Sequence, residues 1–139
     1  MEVLKFNRPD DLIELENFAD IDGFLQKMKD VGEINVITGN YNEDIYKLCN
    51  NVIAWLLIQM KDTLFIYNSE VAIGTFDGQD HTWLIIGDYY VDPSLAQFVP
   101  DAPKIAFINK EDTDRYYIDE TLFPHEFVER INIQRIDRV

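Results

Sequence analysis

An α+β fold, with one buried central helix packed on a mostly antiparallel sheet, is what this sequence predicts, and three observations predict it. Residues 43–60 place Cys49, Val52, Ile53, Leu56 and Met60 on one helical face, while Ala54, Trp55, Leu57 and Ile58 make the second half apolar almost all round, the mark of a buried helix. Downstream, the runs 70–76, 81–86 and 89–91 are rich in β-branched and aromatic residues and are separated by Asp77-Gly78 and Gly87-Asp88, dipeptides suited to two-residue hairpin turns. No internal repeat, low-complexity tract or linker is visible, so residues 1–139 read as a single domain.

Taken in order, residues 1–6 suggest a short strand. Asn7, Pro9 and Asp10 then read as a helix start, with a capping side chain, a proline tolerated in the first turn and early acidic residues, and Leu12, Leu15 and Phe18 supply an apolar stripe. A second short helix is expected over 22–31, with Phe24, Leu25, Met28 and Val31 at helical spacing and Gly32 placed to end it. These two helices form a small cover. Residues 33–38 alternate weakly, as an edge strand would, and 39–42 carry loop chemistry. Beyond the central helix, the sheet is expected to include 63–67, 104–108 and 130–136 besides the three runs above. Residues 94–98 form one helical turn closed off by Pro100, and the acidic segment 111–120, with its Tyr116-Tyr117 pair, fits either a helix or a flap.

Composition narrows the function classes. Hydrophobic residues make up 47% and aromatics 13% of 139 residues, which excludes a disordered acidic tail and allows a core of ordinary size. Lysine and arginine number 12 against 26 acidic residues, and the resulting charge of -14 repels nucleic-acid phosphates and anionic membranes, so neither is an expected partner. The same charge suits an inhibitor or immunity partner of a basic protein. Cys49 is the only cysteine, which rules out an intrachain disulfide and points to the reducing cytoplasm. The chain opens without a basic-then-apolar signal segment, and its longest apolar run, 52–58, is too short to span a bilayer. Delivery by a secretion system that needs no cleaved signal is compatible with these features.

The turn at Gly87-Asp88 fixes a register. If Ile86 faces Tyr89, then Ile85 faces Tyr90, Leu84 faces Val91 and Trp83 faces Asp92. His81, Trp83 and Ile85 share one face, which makes His81 the diagonal neighbour of Asp92, roughly 7–8 Å away between backbones and within side-chain reach. The turn at Asp77-Gly78 sets Gly74 opposite His81 and Ala72 opposite Trp83, small residues that leave room beside the imidazole. This face is expected to pack against the Cys49 helix.

Cys49 on a helix, His81 on a strand and Asp92 on the next strand make a nucleophile, base and orienting group in order. A free thiol with a pKa of about 8.5 is mostly protonated at neutral pH, so a nucleophilic cysteine needs an imidazole to take its proton, and the imidazole needs a third group to hold its tautomer. The competing reading makes Cys49 a small core residue, His81 a half-buried strand residue and Asp92-Pro93-Ser94 the end of a strand. His125, between Pro124 and Glu126, reads as a surface residue. No further ligands group with His81 and Asp92, so no metal and no cofactor are expected.

The stretches Leu48-Cys49-Asn50, His81-Thr82-Trp83 and Val91-Asp92-Pro93-Ser94, with Gln97-Phe98 just after, resemble the papain-like and transglutaminase-like superfamily of cysteine enzymes, in particular its compact bacterial members. The resemblance covers residues 40–98. It implies a papain-like core and a thiol protease, deamidase or transglutaminase-like acyl transferase. By the same resemblance Cys49 is the nucleophile, His81 the general base and then acid, Asp92 the orienting group, and a peptide or protein the substrate. Family cysteines sit at a helix N-terminus. Here Asn40 or Asn42 starts the helix nearly two turns early, or the loop persists to about Tyr46, and the sequence leaves both open. For the oxyanion hole the candidates are Asn40, Asn42 and Gln79, with the Cys49 backbone amide available only if the helix starts there.

Overall fold

The computed structural model describes residues 4–12, 14–18 and 20–137, and the fold is α+β. Five helices, α1 (Leu15–Phe18), α2 (Ile21–Asp30), α3 (Tyr41–Asp44), α4 (Cys49–Met60) and α5 (Pro124–Asp137), accompany five strands, β1 (Ser69–Phe76), β2 (Gln79–Ile86), β3 (Tyr89–Asp92), β4 (Ala106–Asn109) and β5 (Tyr116–Leu122). The strands form one antiparallel sheet in the order β4-β3-β2-β1-β5. None of the described helices is long and apolar enough to cross a membrane.

Both hairpins have the expected register. Gly87 adopts φ 60 ahead of Asp88, and Ile86, Ile85 and Leu84 pair with Tyr89, Tyr90 and Val91. Asp77 and Gly78 both have positive φ, 49 and 79, the backbone of a turn whose twist matches the flanking strands, and Gly74 faces His81 while Ala72 faces Trp83.

Alternation along these strands builds two cores, one on each side of the sheet. Val71, Leu84, Ile86 and Val91 face α4, whose Val52, Ile53, Leu56 and Met60 join them together with Phe24 of α2 and Phe127 of α5. Trp83, Ile85, Tyr90 and Ala72 face the other way, into a second cluster with Phe76, Leu95, Ile108 and Tyr116. The histidine face therefore packs into the second cluster and not against the body of α4, contrary to the expectation that this face covers the helix. The first turn of α4 meets the start of β2 through Thr82, on the helix-facing side, which donates to Asn50 Oδ1 at 2.6 Å.

Other expectations fail for local reasons. Residues 1–3 of the proposed first strand lie outside the described residues, and 4–6 are not in a strand, although the Asn7 N–H donates to the Phe107 carbonyl at the rim of β4. The first helix is reduced to a tight turn, Asp10–Leu12, and four residues of α1; Leu12 and Leu15 are buried as expected, while the Phe18 side chain lies outside the described residues. In α2 the Asp20 carboxylate caps Gly23 N–H, and Ile21, Phe24, Leu25 and Met28 are buried, but Val31 falls beyond the helix and is exposed. Residues 33–38 find no strand partner: buried Asp44 accepts from the Thr38 and Gly39 amides instead. Residues 63–67 follow a 3-10 path, Leu64–Asn68, because Thr63 folds both its N–H and its hydroxyl back onto the Met60 carbonyl. The remaining strand is β5, not 130–136, which belongs to α5.

β5 carries a bulge. Its pairing with β1 shifts between Ile73↔Glu120 and Gly74↔Ile118, so Asp119 has no opposite number. Five steps of β1, from Val71 to Phe76, are matched by six of β5, from Leu122 to Tyr116, and the extra step turns Leu122 toward α4 and Tyr116 toward the histidine side. The space at Gly74 is taken by this bulge: a Cβ there would lie 1.8 Å from the Tyr117 carbonyl oxygen. Gly74→Ala is therefore expected to push β5 outward and cost about 1–3 kcal/mol, the range for overpacking, read as a lower urea midpoint at unchanged slope. An unchanged midpoint would show that β5 yields freely.

Candidate active site

The site forms where β2 begins and β3 ends. Because alternation sends Trp83 and His81 to one side, the imidazole stacks on the Trp83 ring at 5.6 Å and 20°, with Phe98 edge-on at 5.0 Å and Phe76 at 6.4 Å. His81 Nε2 lies 2.7 Å from Asp92 Oδ2, and neither side chain has any exposed surface. The diagonal juxtaposition predicted from the turn is thus realised as a direct hydrogen bond.

Two further residues hold Asp92, and a third holds its neighbour. Tyr116 Oη donates to the same Oδ2 at 2.7 Å, and the Ser94 N–H donates to Oδ1 at 3.0 Å. Tyr41 Oη donates to the Pro93 carbonyl one residue on, which ties the end of β3 to α3. Burial, and then the Asp92 charge, pushes the Tyr41 and Tyr116 phenols well above their ordinary values, so both remain donors.

Cys49 is the first residue of α4. The chain does not run helically from Asn40 or Asn42 through the cysteine: α3 ends at Asp44, and Lys47 takes a left-handed turn at φ 62 before Leu48 opens the helix. The Lys47 N–H donates to Gln97 Oε1 at 3.2 Å, so the loop after Asp92 holds the turn that sets where α4 begins. No side chain caps this helix, and Val52 supplies its first intrahelical bond, to the Leu48 carbonyl. The amides of Cys49, Asn50 and Asn51 therefore stand at a helix N-terminus, where the backbone dipole favours negative charge.

Cys49 is partly exposed, and it lies within the electrostatic surroundings of His81. Burial is the strongest influence on the imidazole and lowers its proton affinity. The Asp92 charge and hydrogen bond, joined by the nearby Cys49 sulfur, outweigh burial and hold the imidazolium up to about 9. With Nε2 on Asp92, Nδ1 is the nitrogen left for the thiol; it is buried and makes no well-aligned hydrogen bond. The sulfur thus acts on the ring through proximity and charge, the loose geometry common to nucleophile and base before substrate arrives.

Among the proposed oxyanion donors, Asn40 and Gln79 are exposed, and Asn40 sits at the start of α3. Asn42 is half-buried within α3. The Cys49 amide meets the condition set for it, because the helix does start there. Two participants carry roles that the sequence does not assign to them. Tyr116 lies in a segment with no clear periodicity, and Gln97 orients the turn before Cys49 while its Nε2 stays buried without a partner. His125 is exposed and stacks on Phe123 at the start of α5. Among the described residues no group of three or more His, Cys, Asp or Glu side chains is arranged to hold a metal ion. The chain matches no known family model, no curated protein and no solved structure.

The raised proton affinity of His81 links the site to stability. A group held above its unfolded value of about 6.5 stabilises the fold fully below that pH, and the contribution fades as pH rises through about 9. At 1.36 kcal/mol per pKa unit the effect is on the order of 3 kcal/mol. Urea titrations across this window are expected to show wild-type stability falling with pH and Asp92→Asn losing most of the slope. A slope unchanged by Asp92→Asn would mean that the pair does not hold the proton.

Proposed function

We propose that this chain is a cysteine-dependent hydrolase or acyl transferase with a papain-like or transglutaminase-like core, acting on a peptide or side-chain amide. The observation that carries the reading is the fully buried His81–Asp92 hydrogen bond with Cys49, at the first residue of a helix, beside the imidazole. The Cys49 thiolate attacks the substrate carbonyl carbon and forms a C–S bond, while the carbonyl electron pair moves to oxygen. That oxyanion is received by the Cys49 amide at the helix N-terminus. The oxyanion then collapses, the C–N bond breaks, and His81 Nδ1–H delivers its proton to the departing amine, leaving a thioester on Cys49. Water or a second amine attacks the thioester, His81 takes up its proton, and the thiolate leaves. Asp92 keeps the ring oriented throughout and does not itself take the proton.

A second reading has its own observation. At the opposite end of the β2–β3 hairpin, a cleft of about 940 Å³ is lined by Asp10, Asp11, Glu14, Asp62 and Asp88 around Phe65 and Tyr89. With the net charge of -14, this cleft suits a non-catalytic acidic protein that binds a basic protein partner. A stoichiometric partner whose affinity falls with salt and is untouched by Cys49→Ala would favour this second function.

Alkylation of Cys49 separates the two without a known substrate. Near pH 6, iodoacetamide is expected to label the folded wild type about tenfold or more faster than His81→Ala, with Asp92→Asn in between, because the imidazolium and its carboxylate favour the reactive thiolate. Identical rates in wild type and His81→Ala would leave Cys49 a structural cysteine and sink the enzyme reading.

A further inference from the structure

We propose that Tyr116 is a positioning residue of the His81–Asp92 pair, sharing one carboxylate oxygen with the imidazole so that the ring is oriented without its proton being held too tightly. The catalytic meaning of this role rests on the thiol reading above; the geometry and the test do not.

Four hydrogen bonds from three residues converge on Asp92, the Ser94 hydroxyl adding a longer one to Oδ1 at 3.5 Å, and they are not equivalent. The Ser94 amide takes Oδ1, but His81 Nε2 and Tyr116 Oη both take Oδ2, each at 2.7 Å. Two donors on one oxygen divide its negative charge, so each weakens the bond made by the other. An imidazolium facing an undivided carboxylate oxygen in a site shielded from solvent keeps its proton; facing a shared one, it gives the proton up more readily. A general acid needs the second condition.

The phenol can do this over the whole working range because it is 8% exposed and wedged among rings, with Tyr90 at 4.7 Å, Trp83 at 4.8 Å and Phe76 at 4.9 Å. Burial, then the Asp92 charge and hydrogen bond and the nearby Tyr90, keep it neutral against the smaller opposing effect of Arg115. The charged or titratable groups that bear on His81 are Asp92 from β3, Cys49 from α4, and Tyr116 from β5, which shares Asp92 and whose ring lies 6.3 Å from the imidazole; its other ring neighbours, Phe76, Trp83 and Phe98, do not titrate. The phenol hydroxyl is thus the one contact that can be removed while the ring that packs the site stays.

The chain has two histidines, so an NMR titration of histidine-labelled protein reads His81 directly, with exposed His125 as internal control. Tyr116→Phe is expected to raise the proton affinity of His81 several-fold and to leave His125 unchanged. Replacing Tyr116 with 3-fluorotyrosine, a stronger donor, is expected to lower it. A packing role alone predicts no shift in either variant. The same several-fold rise is expected in a Cys49→Ala background, which keeps this result independent of whether Cys49 proves reactive. An unchanged or lowered His81 affinity in Tyr116→Phe overturns the proposal, and so does a rise with 3-fluorotyrosine. Should Tyr116→Phe fail to fold, the 3-fluorotyrosine protein decides alone.

Discussion

The hydrogen bond between His81 and Asp92 is the constraint around which one side of the sheet is arranged. A carboxylate and an imidazolium with no exposed surface have given up hydration worth several kcal/mol per ion, and their mutual attraction repays this only when the remaining lone pairs are satisfied. Asp92 meets that condition through Tyr116 and Ser94. His81 meets it on one nitrogen and leaves the other toward Cys49. The asymmetry is informative. Under the proposed thiol chemistry, this second nitrogen is the one that exchanges a proton with Cys49.

That pair also explains the segment that follows it. Between Asp92 and Phe98 the chain anchors Ser94 to the carboxylate, lays Phe98 edge-on against the imidazole, and places Gln97 on the backbone of Lys47. One short loop therefore sets both the orientation of the histidine and the turn from which the cysteine helix departs. Cys49 and His81, on different elements, are positioned by the same seven residues.

How much of this was legible in the sequence follows from the range of each interaction. The hairpins, their registers and the meeting of His81 with Asp92 depend on turn chemistry and alternation, which are local, and they could be read from Gly87-Asp88 and Asp77-Gly78. The start of α4 could not, because it depends on a left-handed Lys47 stabilised by Gln97, fifty residues away. The histidine face was assigned to the wrong core, since alternation fixes which residues share a side but not which side the helix covers. Residues 130–136 alternate passably as a strand, yet they continue α5, which begins at Pro124 and sends Phe127 into the core. Tyr116 was invisible because its strand has an exposed middle, Tyr117 to Thr121, and its periodicity is broken by the extra residue at Asp119.

That extra residue makes the length of β5 a matter of parity. In an ordinary edge strand, loss of one residue would shorten a loop or shift an end. Here, deleting Asp119 would leave five steps of β5 opposite five of β1, an unbroken pairing in which Tyr116 and Leu122 still serve opposite sides of the sheet. The loss of a second residue between Tyr116 and Leu122 would instead leave four steps, and the molecule would then have to choose between its packing beneath α4 and the phenol on Asp92.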